Sequence, residues 1–579
     1  MDLATAARDR LRRRRQPTVL ELDLSRGLVA PGAWDPRRAL RMLHAPSLRS
    51  IREGLRAGAR DERVAGLLVH LGDCPLSLTE ADEVGALIAE FGASKPTVAH
   101  TETFGEMTSG LAAYRLASQA QQVWLQPSGA LGLTGVALQV VLLRGALDKA
   151  GVEPQFGQRH EFKTAANQFT AREVTDAQRE MMQRIADSVL DDTVTRVAER
   201  RGLAVEDVRA AVDTAPLTAA RAAELGLVDH LGYRDEVHAW VREQWGEEVD
   251  GERVVDLHYV HRYAREQGAA GLVRSLTDKQ RPAVGVVNVQ GAIVTGPGQP
   301  GGFGQPSAGA DTVAAHLRAA AADEQVKAVV LRVDSPGGSY VASDTIRREV
   351  VRLRESGRPV VAVMGDVAAS GGYFVSMGAT EVVAGAATLT GSIGVLAGKL
   401  VTRGLADKID VVREEMTAGE RAGMFSTLRG FDDSDWAVLD AWLDEVYADF
   451  TQKAAADRGL PLETLEPLAR GRVWTGADAA ERGLVDHVGG ASLALDRACE
   501  LAGLGRDDVA VRAVPASAFL AQLRPARSSE SPRGQVGLAP TSPTGLLTGG
   551  PEAALARLAR LGGLQLPGVL ALPWRLTLG

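Results

Sequence analysis

The segment GDVAASGGYFVSMGATEVVAGAATLTGSIGV, residues 365–395, holds two serines flanked by glycine, Ser370 and Ser392. A serine hydroxyl is a poor nucleophile until a base takes its proton. Glycines beside it let backbone N–H groups approach a developing oxyanion. The chemistry suggested is acyl transfer. Histidine, the usual base, is absent from the stretch. The base must come from elsewhere in the chain.

An internal duplication narrows the search. PTVLELDLSRGLV (17–29) matches PAVGVVNVQGAIV (282–294), and DERVAGLLVHL (61–71) matches DEQVKAVVLRV (323–333). KPTVAH (95–100), RGALDK (144–149) and LGLVDHLG (225–232) recur as RPVVAV (358–363), RGLADK (403–408) and RGLVDHVG (482–489). The partners stay 257 to 265 residues apart, so one domain is written twice. A residue shared by both copies is expected to be structural. A polar residue found in one copy only, in a loop at the strand ends, is a better candidate for chemistry.

His230 and His487 occupy the same place in LVDH and read as structural. His316 lies in a helical stretch, and His160 stays a minor candidate. Lysine is more informative. Only eight of the 65 basic residues are lysine, and arginine cannot give up its proton. Lys149 and Lys408 are repeat partners, whereas Lys163, in QRHEFKTAANQFT, falls opposite Ala422 and is specific to the first copy. The serine motifs show the reverse. AASGG (368–372) stands against MTSGL (107–111), VDSPGGS (333–339) against LGDCPLS (71–77), and Ser392 against Val136. The glycine-rich loops are complete in the second copy only. A composite site follows, with serine from one copy and lysine from the other, a known variant of triad logic. Lysine normally titrates near ~10.4. Burial lowers that by up to roughly 3–5 units, enough to make it a base. Gly338 and Gly371 are the candidate oxyanion donors.

The elements that must position these residues are legible as strands and helices in alternation. VKAVVLRVD and PVVAVMG read as buried strands. SDTIRREVVRLRESG, opening on a Ser-Asp cap, and SDWAVLDAWLDEVYADFTQKAAADRG read as helices ending at glycine. The expected class is α/β with largely parallel sheets, whose ligands bind beyond the carboxyl strand ends. DSPGGS and GDVAASGG both fall there. The expected organisation is a basic leader (1–16), a first repeat (17–245), a linker (246–281), a second repeat (282–500) and a linker-like, then apolar, tail (501–579). TGPGQPGGFGQPSAG (295–309) reads as a flexible loop.

Hydrophobic content of 45% over 579 residues suits a packed globular chain. A net charge of −8 gives no electrostatic case for binding nucleic acid. Cys74 and Cys499 allow at most one disulfide, and no Cys/His cluster has zinc spacing. No apolar run reaches 18 residues, so no membrane-spanning helix is expected. The leader lacks the apolar core of a secretory signal. Peripheral contact with a membrane surface through leader or tail is the remaining membrane reading.

RVDSPGGS, GDVAASGGYF and TLTGSIGV, in that order, resemble the signal peptide peptidase A family. The doubled length, with EFKTAANQF in the first copy, resembles its long bacterial form. The resemblance covers about residues 17–500. It implies two tandem Clp protease/crotonase-like domains and a serine endopeptidase that degrades hydrophobic peptides such as cleaved signal peptides. Ser370 would be the nucleophile and Lys163 the general base. Ser392 would hold the lysine by a hydrogen bond, and Gly338 and Gly371 would form the oxyanion hole. A homotetramer without cofactor or metal is implied. Relatives commonly carry an N-terminal membrane anchor. Here the first repeat begins about residue 17, so the expected location is cytoplasmic or peripheral at the inner membrane. Two other readings remain open: a crotonase-type acyl-CoA hydratase or isomerase, and a non-catalytic membrane-protein scaffold.

Overall fold

The computed structural model describes residues 16–29, 45–249, 251–275, 281–299, 306–514 and 570–571. The basic leader up to residue 15, the middle of the Gly/Pro loop (300–305) and most of the tail lie outside the described residues. The chain forms two compact units. Residues 138–188 belong by sequence to the first copy, but they pack in the second unit with the described residues from 281 onward.

In the first unit, β1 (Thr18–Asp23), α1 (Leu48–Arg60), β2 (Val64–His70), α2 (Leu78–Gly92), β3 (Thr97–Thr101), α3 (Leu111–Ala117) and β4 (Gln122–Leu125) alternate as expected. The four strands pair in parallel in the order β1-β2-β3-β4, and β5 (His230–Leu231) extends the β4 edge. Residues 246–281 supply β6 (Asp256–Tyr259), which pairs in parallel with β1, and a helix, Val260–Ser275, packed on α1. The approach is close: a Cβ on Gly54 of α1 would sit 2.6 Å from the Val260 carbonyl oxygen. The core gathers Val19, Leu68, Val98 and Trp124 from the strands.

The second unit is built around an eight-stranded sheet. Its parallel centre is β7 (Ala283–Gln290), β8 (Val326–Ser335) and β9 (Val360–Ala369). Between β8 and β9 runs α4 (Tyr340–Glu355), and α5 (Gly371–Met377) follows β9 directly. β10 (Leu389–Gly391) continues the sheet beside β9 in parallel, and β11 (Val473–Thr475) closes that side antiparallel. β12 (Ala510–Ala513) covers the far edge of β7. The strands are Val/Ala-rich because both faces are covered. Val287, Val329, Leu331, Ile346, Phe374 and Phe450 fill one side, and Val330, Val361, Leu495 and Cys499 the other.

Helix boundaries follow local chemistry. Asp433–Arg458 opens with a reciprocal capping box between Asp432 and Asp435 and closes on Gly459 at φ 64°. The cap of α4 is Ser339, not the expected Ser343–Asp344 pair. Ser339 Oγ accepts the Ala342 N–H at 3.3 Å, while Ser343 lies inside the helix and donates its hydroxyl back to the Ser339 carbonyl. The SPGGS turn therefore runs straight into the helix.

Both copies keep one structural device. Arg201 holds Asp229 in the first unit as Arg458 holds Asp486 in the second. Each aspartate accepts a strand N–H at 2.7 Å, from Val123 and Val382 respectively. The aspartate of LVDH is thus the anchor of the repeat.

Candidate active site

Ser370 sits at the turn where β9 becomes α5. Its backbone is held at φ 56°, a region costly for a residue with a side chain. Two hydrogen bonds fix the turn: Ser370 N–H donates to the Gly391 carbonyl on β10, and Phe374 N–H to the Ser370 carbonyl, both at 2.8 Å. The following glycines are needed for close approach. A Cβ on Gly371 would lie 2.7 Å from Ser343 Oγ and 3.1 Å from Gly338 N, and one on Gly372 2.4 Å from the Ser335 carbonyl. The backbones of Gly371 and Gly338 therefore meet beside the serine.

Gly338 belongs to a short strand, Gly337–Gly338, between β8 and α4. Its φ is 153°, and a Cβ there would strike the Ile293 carbonyl at 2.1 Å. This strand is bracketed by Ile293 in parallel and by Leu570–Ala571 of the tail in antiparallel register, Gly337 opposite Ala571 and Gly338 opposite Leu570.

Lys163 reaches the same place from residues 138–188. The strand Glu153–Gln158 pairs antiparallel with Leu396–Val401, and Arg159 N–H continues to the Val395 carbonyl at 3.0 Å. The turn that follows is pinned by Arg470 on Glu161 at 2.9 Å. Two glycines make the slot for the lysine. A Cβ on Gly471, itself at φ 81°, would lie 2.4 Å from Lys163 N, and one on Gly394 3.2 Å from Lys163 Cδ. Lys163 Nζ ends 2.7 Å from Ser370 Oγ, 3.0 Å from Ser392 Oγ and 3.0 Å from the Ser392 carbonyl. The side chain is 1% exposed. Burial pushes its pKa down to about 7.

All five residues singled out by sequence lie in the second unit. Lys163, Ser370 and Ser392 share hydrogen bonds, and Gly338 and Gly371 pack against each other beside them. Ser392 is another non-glycine residue with positive φ, 52°, its N–H donating to the Arg472 carbonyl at 2.7 Å. His160, the minor candidate, faces the Tyr447 ring at 4.6 Å. Other lysines do different work: Lys399 Nζ donates to the Met424 carbonyl at 2.6 Å, and Lys453 pairs with Asp344 and Asp449, both at 2.8 Å. In the first unit Tyr114 hydroxyl donates to the Leu227 carbonyl as Tyr373 does to Leu484. Gly110, rather than Ser109, holds the place of Ser370: it caps its helix and its N–H donates to the Gly132 carbonyl at 2.8 Å, as Ser370 N–H does to Gly391. Sequence reasoning missed Gly471 as a wall of the lysine slot, and the tail strand. The apolar end of the tail was the one signal for the latter.

Comparison with known proteins identifies the family. The profile of Peptidase family S49 matches residues 89–248 and 352–505. The chain is 30% identical over 455 residues to the chloroplastic serine protease SPPA of Arabidopsis thaliana, covering 78% of this chain and 65% of that protein. It is 31% identical over 468 residues to protease 4 of Haemophilus influenzae, covering 78% of this chain and 72% of the relative. A third relative, protease 4 of Salmonella typhi, is 30% identical over 479 residues, covering 80% and 73%.

Proposed function

Because the chain belongs to Peptidase family S49, we propose that it is a serine endopeptidase working through a Ser370–Lys163 dyad on extended hydrophobic peptides, cleaved signal peptides among them. The observation that carries this is the 2.7 Å contact between Ser370 Oγ and a fully buried Lys163 Nζ, with the lysine pushed down to about 7. A neutral amine has two N–H donors and one lone pair. Ser392 offers two acceptors, its carbonyl and its hydroxyl oxygen, both at 3.0 Å. Filling them leaves the lone pair for the Ser370 proton. Ser392 is therefore a positioning residue.

In the proposed reaction Ser370 Oγ attacks the scissile carbonyl while Nζ takes the hydroxyl proton. The oxyanion is met by the N–H groups of Gly338 and Gly371, each such donor being worth about 10²–10³ in turnover. The C–N bond breaks as Lys163 returns the proton to the leaving amine, giving an acyl-enzyme. Water, deprotonated by the same lysine, attacks the acyl carbonyl, and the C–O bond to Ser370 breaks as the lysine returns the proton to Oγ, releasing the acid. The chain's own residues supply every step.

Substrate would lie along Gly337–Gly338 as an added antiparallel strand, the mode of main-chain recognition that leaves side chains to pockets. The Leu570–Ala571 pairing supports this, since that edge already accepts a strand. The chain is further proposed to act as a homo-oligomer, a tetramer. In the second copy the segment matching the one around Lys163 exposes Val412 (94%), Met416 (84%) and Phe425 (71%). A second copy of the chain would cover them. Among the described residues no helix is long and apolar enough to cross a membrane. The proposed location is the cytoplasm or the periphery of the inner membrane.

Mass spectrometry tests the proposal directly. A fluorophosphonate should label Ser370 in the wild-type chain. Apolar peptides should be cut by it, and by neither Ser370→Ala nor Lys163→Ala. Labelling elsewhere, or equal cleavage by Ser370→Ala, would overturn the dyad and favour a hydratase or scaffold on the same fold.

A further inference from the structure

The first unit lacks the serine site, yet the carboxyl ends of its strands are not inert. His70 at the end of β2 stands directly opposite His100 on β3. Both are buried, 6% and 2% exposed, with ring centroids 5.7 Å apart. Glu102 follows β3 and reaches in from solvent, its side chain 43% exposed and its Oε1 3.7 Å from His70 Nε2. One nitrogen from each imidazole and one Glu102 oxygen all lie within 4.8 Å of one another.

Two of the ring nitrogens, His70 Nδ1 and His100 Nε2, are buried with no hydrogen-bond partner among the described residues. A buried polar atom left unpaired is costly. His100 Nε2, left unpaired in a cluster with His70 and the Glu102 carboxylate, is best explained by a ligand that accepts its lone pair. A hydrogen bond to the Gly232 backbone orients His100, as outer partners do for ligating histidines. The surrounding charges also suit a cation. Asp23 and Glu102 face the pair, against Arg234, whose guanidinium is engaged by Glu21 at 3.4 Å, and against His238. In the second copy the positions aligned with His70 and His100 are Arg332 and Val363, neither of which can ligate. The pair is not a shared framework feature.

We propose that the first unit binds a divalent transition-metal ion of the zinc class through His70, His100 and Glu102, with solvent completing the coordination. Two imidazoles and a carboxylate are a donor set such ions favour. Tetrahedral ligation at about 2.0–2.2 Å places donor atoms roughly 3.3–3.6 Å apart. The 3.7 Å already present between His70 and Glu102 is close to this. Half-exposed Glu102 can supply the remaining adjustment. The ion would tie the ends of β2 and β3 together at the sheet edge where α/β domains bind ligands.

The test is calorimetric titration of the chelator-treated full chain with Zn²⁺. Uptake of one equivalent is expected, with a higher unfolding temperature in zinc. His100→Ala and Glu102→Gln should each weaken uptake at least about tenfold, on the scale of losing even an outer partner of a metal site. Glu102→Gln lies at the surface, so it remains informative if His100→Ala fails to fold. Fluorophosphonate labelling of Ser370 serves as an independent check of folding. No uptake by the wild-type chain, or unchanged uptake by Glu102→Gln and a folded His100→Ala, would overturn the site.

Discussion

Replacing Lys163 with methionine separates what burial of the amine costs from what it does. The lysine titrates near 10.5 when exposed and about 7 in the folded chain. Between those values the unfolded chain holds the proton and the folded chain does not. Stability therefore rises with pH across this window, and is flat below 7 and above 10.5. One pKa unit corresponds to about 1.4 kcal/mol. A shift of roughly 3–4 units thus makes the folded state bear about 4–5 kcal/mol at pH 7, most of it relieved by pH 10. Methionine cannot titrate. Its lost contacts to Ser370 and Ser392 add an offset of a few kcal/mol that does not vary with pH. The wild-type chain should accordingly gain about 3–4 kcal/mol relative to Lys163→Met between pH 7 and pH 10. Paired urea unfolding curves read this difference, because every other titrating group cancels. The same lysine predicts a kcat/KM that climbs about tenfold per pH unit below about 7 and levels off above it. A stability difference independent of pH, or an ascending limb centred near 10, would refute a buried neutral lysine as the base.

Ser392→Ala should lower kcat about ten- to hundredfold, the range of one hydrogen bond to a group that becomes charged. Slowed but persistent fluorophosphonate labelling of Ser370 would distinguish lost positioning from a lost nucleophile. Removal of residues 515–579 should raise the initial rate on short apolar peptides, because Leu570–Ala571 pairs with the strand proposed for substrate. An unchanged rate would separate that edge from substrate binding. Joint Val412→Asp and Met416→Asp substitution should shift the assembly toward single chains in sedimentation velocity, and an unaltered oligomer would place the interface elsewhere.

The alternation of buried strands and amphipathic helices was readable because periodicity and capping are local. Asp432 and Gly459 mark one helix without reference to anything distant. Residues 246–281 hold a strand that the sequence did not announce, for the converse reason. Asp256–Tyr259 is too short and mixed to announce a strand, and it becomes one only because β1 offers an unpaired edge. The α4 cap moved to Ser339 because the glycine turn before it leaves no room for further loop. The candidate site was legible through duplication. Lys163 and the glycine-flanked serines differ between copies that otherwise agree, so divergence singled them out.

By itself the sequence determined the two copies, the α/β class, and which side chains were candidates for acid–base and nucleophilic work. Only the tertiary structure decided that residues 207 apart in the chain stand 2.7 Å apart in space. It also decided that Gly394 and Gly471 shape the lysine slot, and that His70 and His100 share one register of a sheet. A residue type carries its own pKa and its own donors. Desolvation and the direction of a lone pair depend on what the rest of the chain packs around it, and no local pattern encodes that.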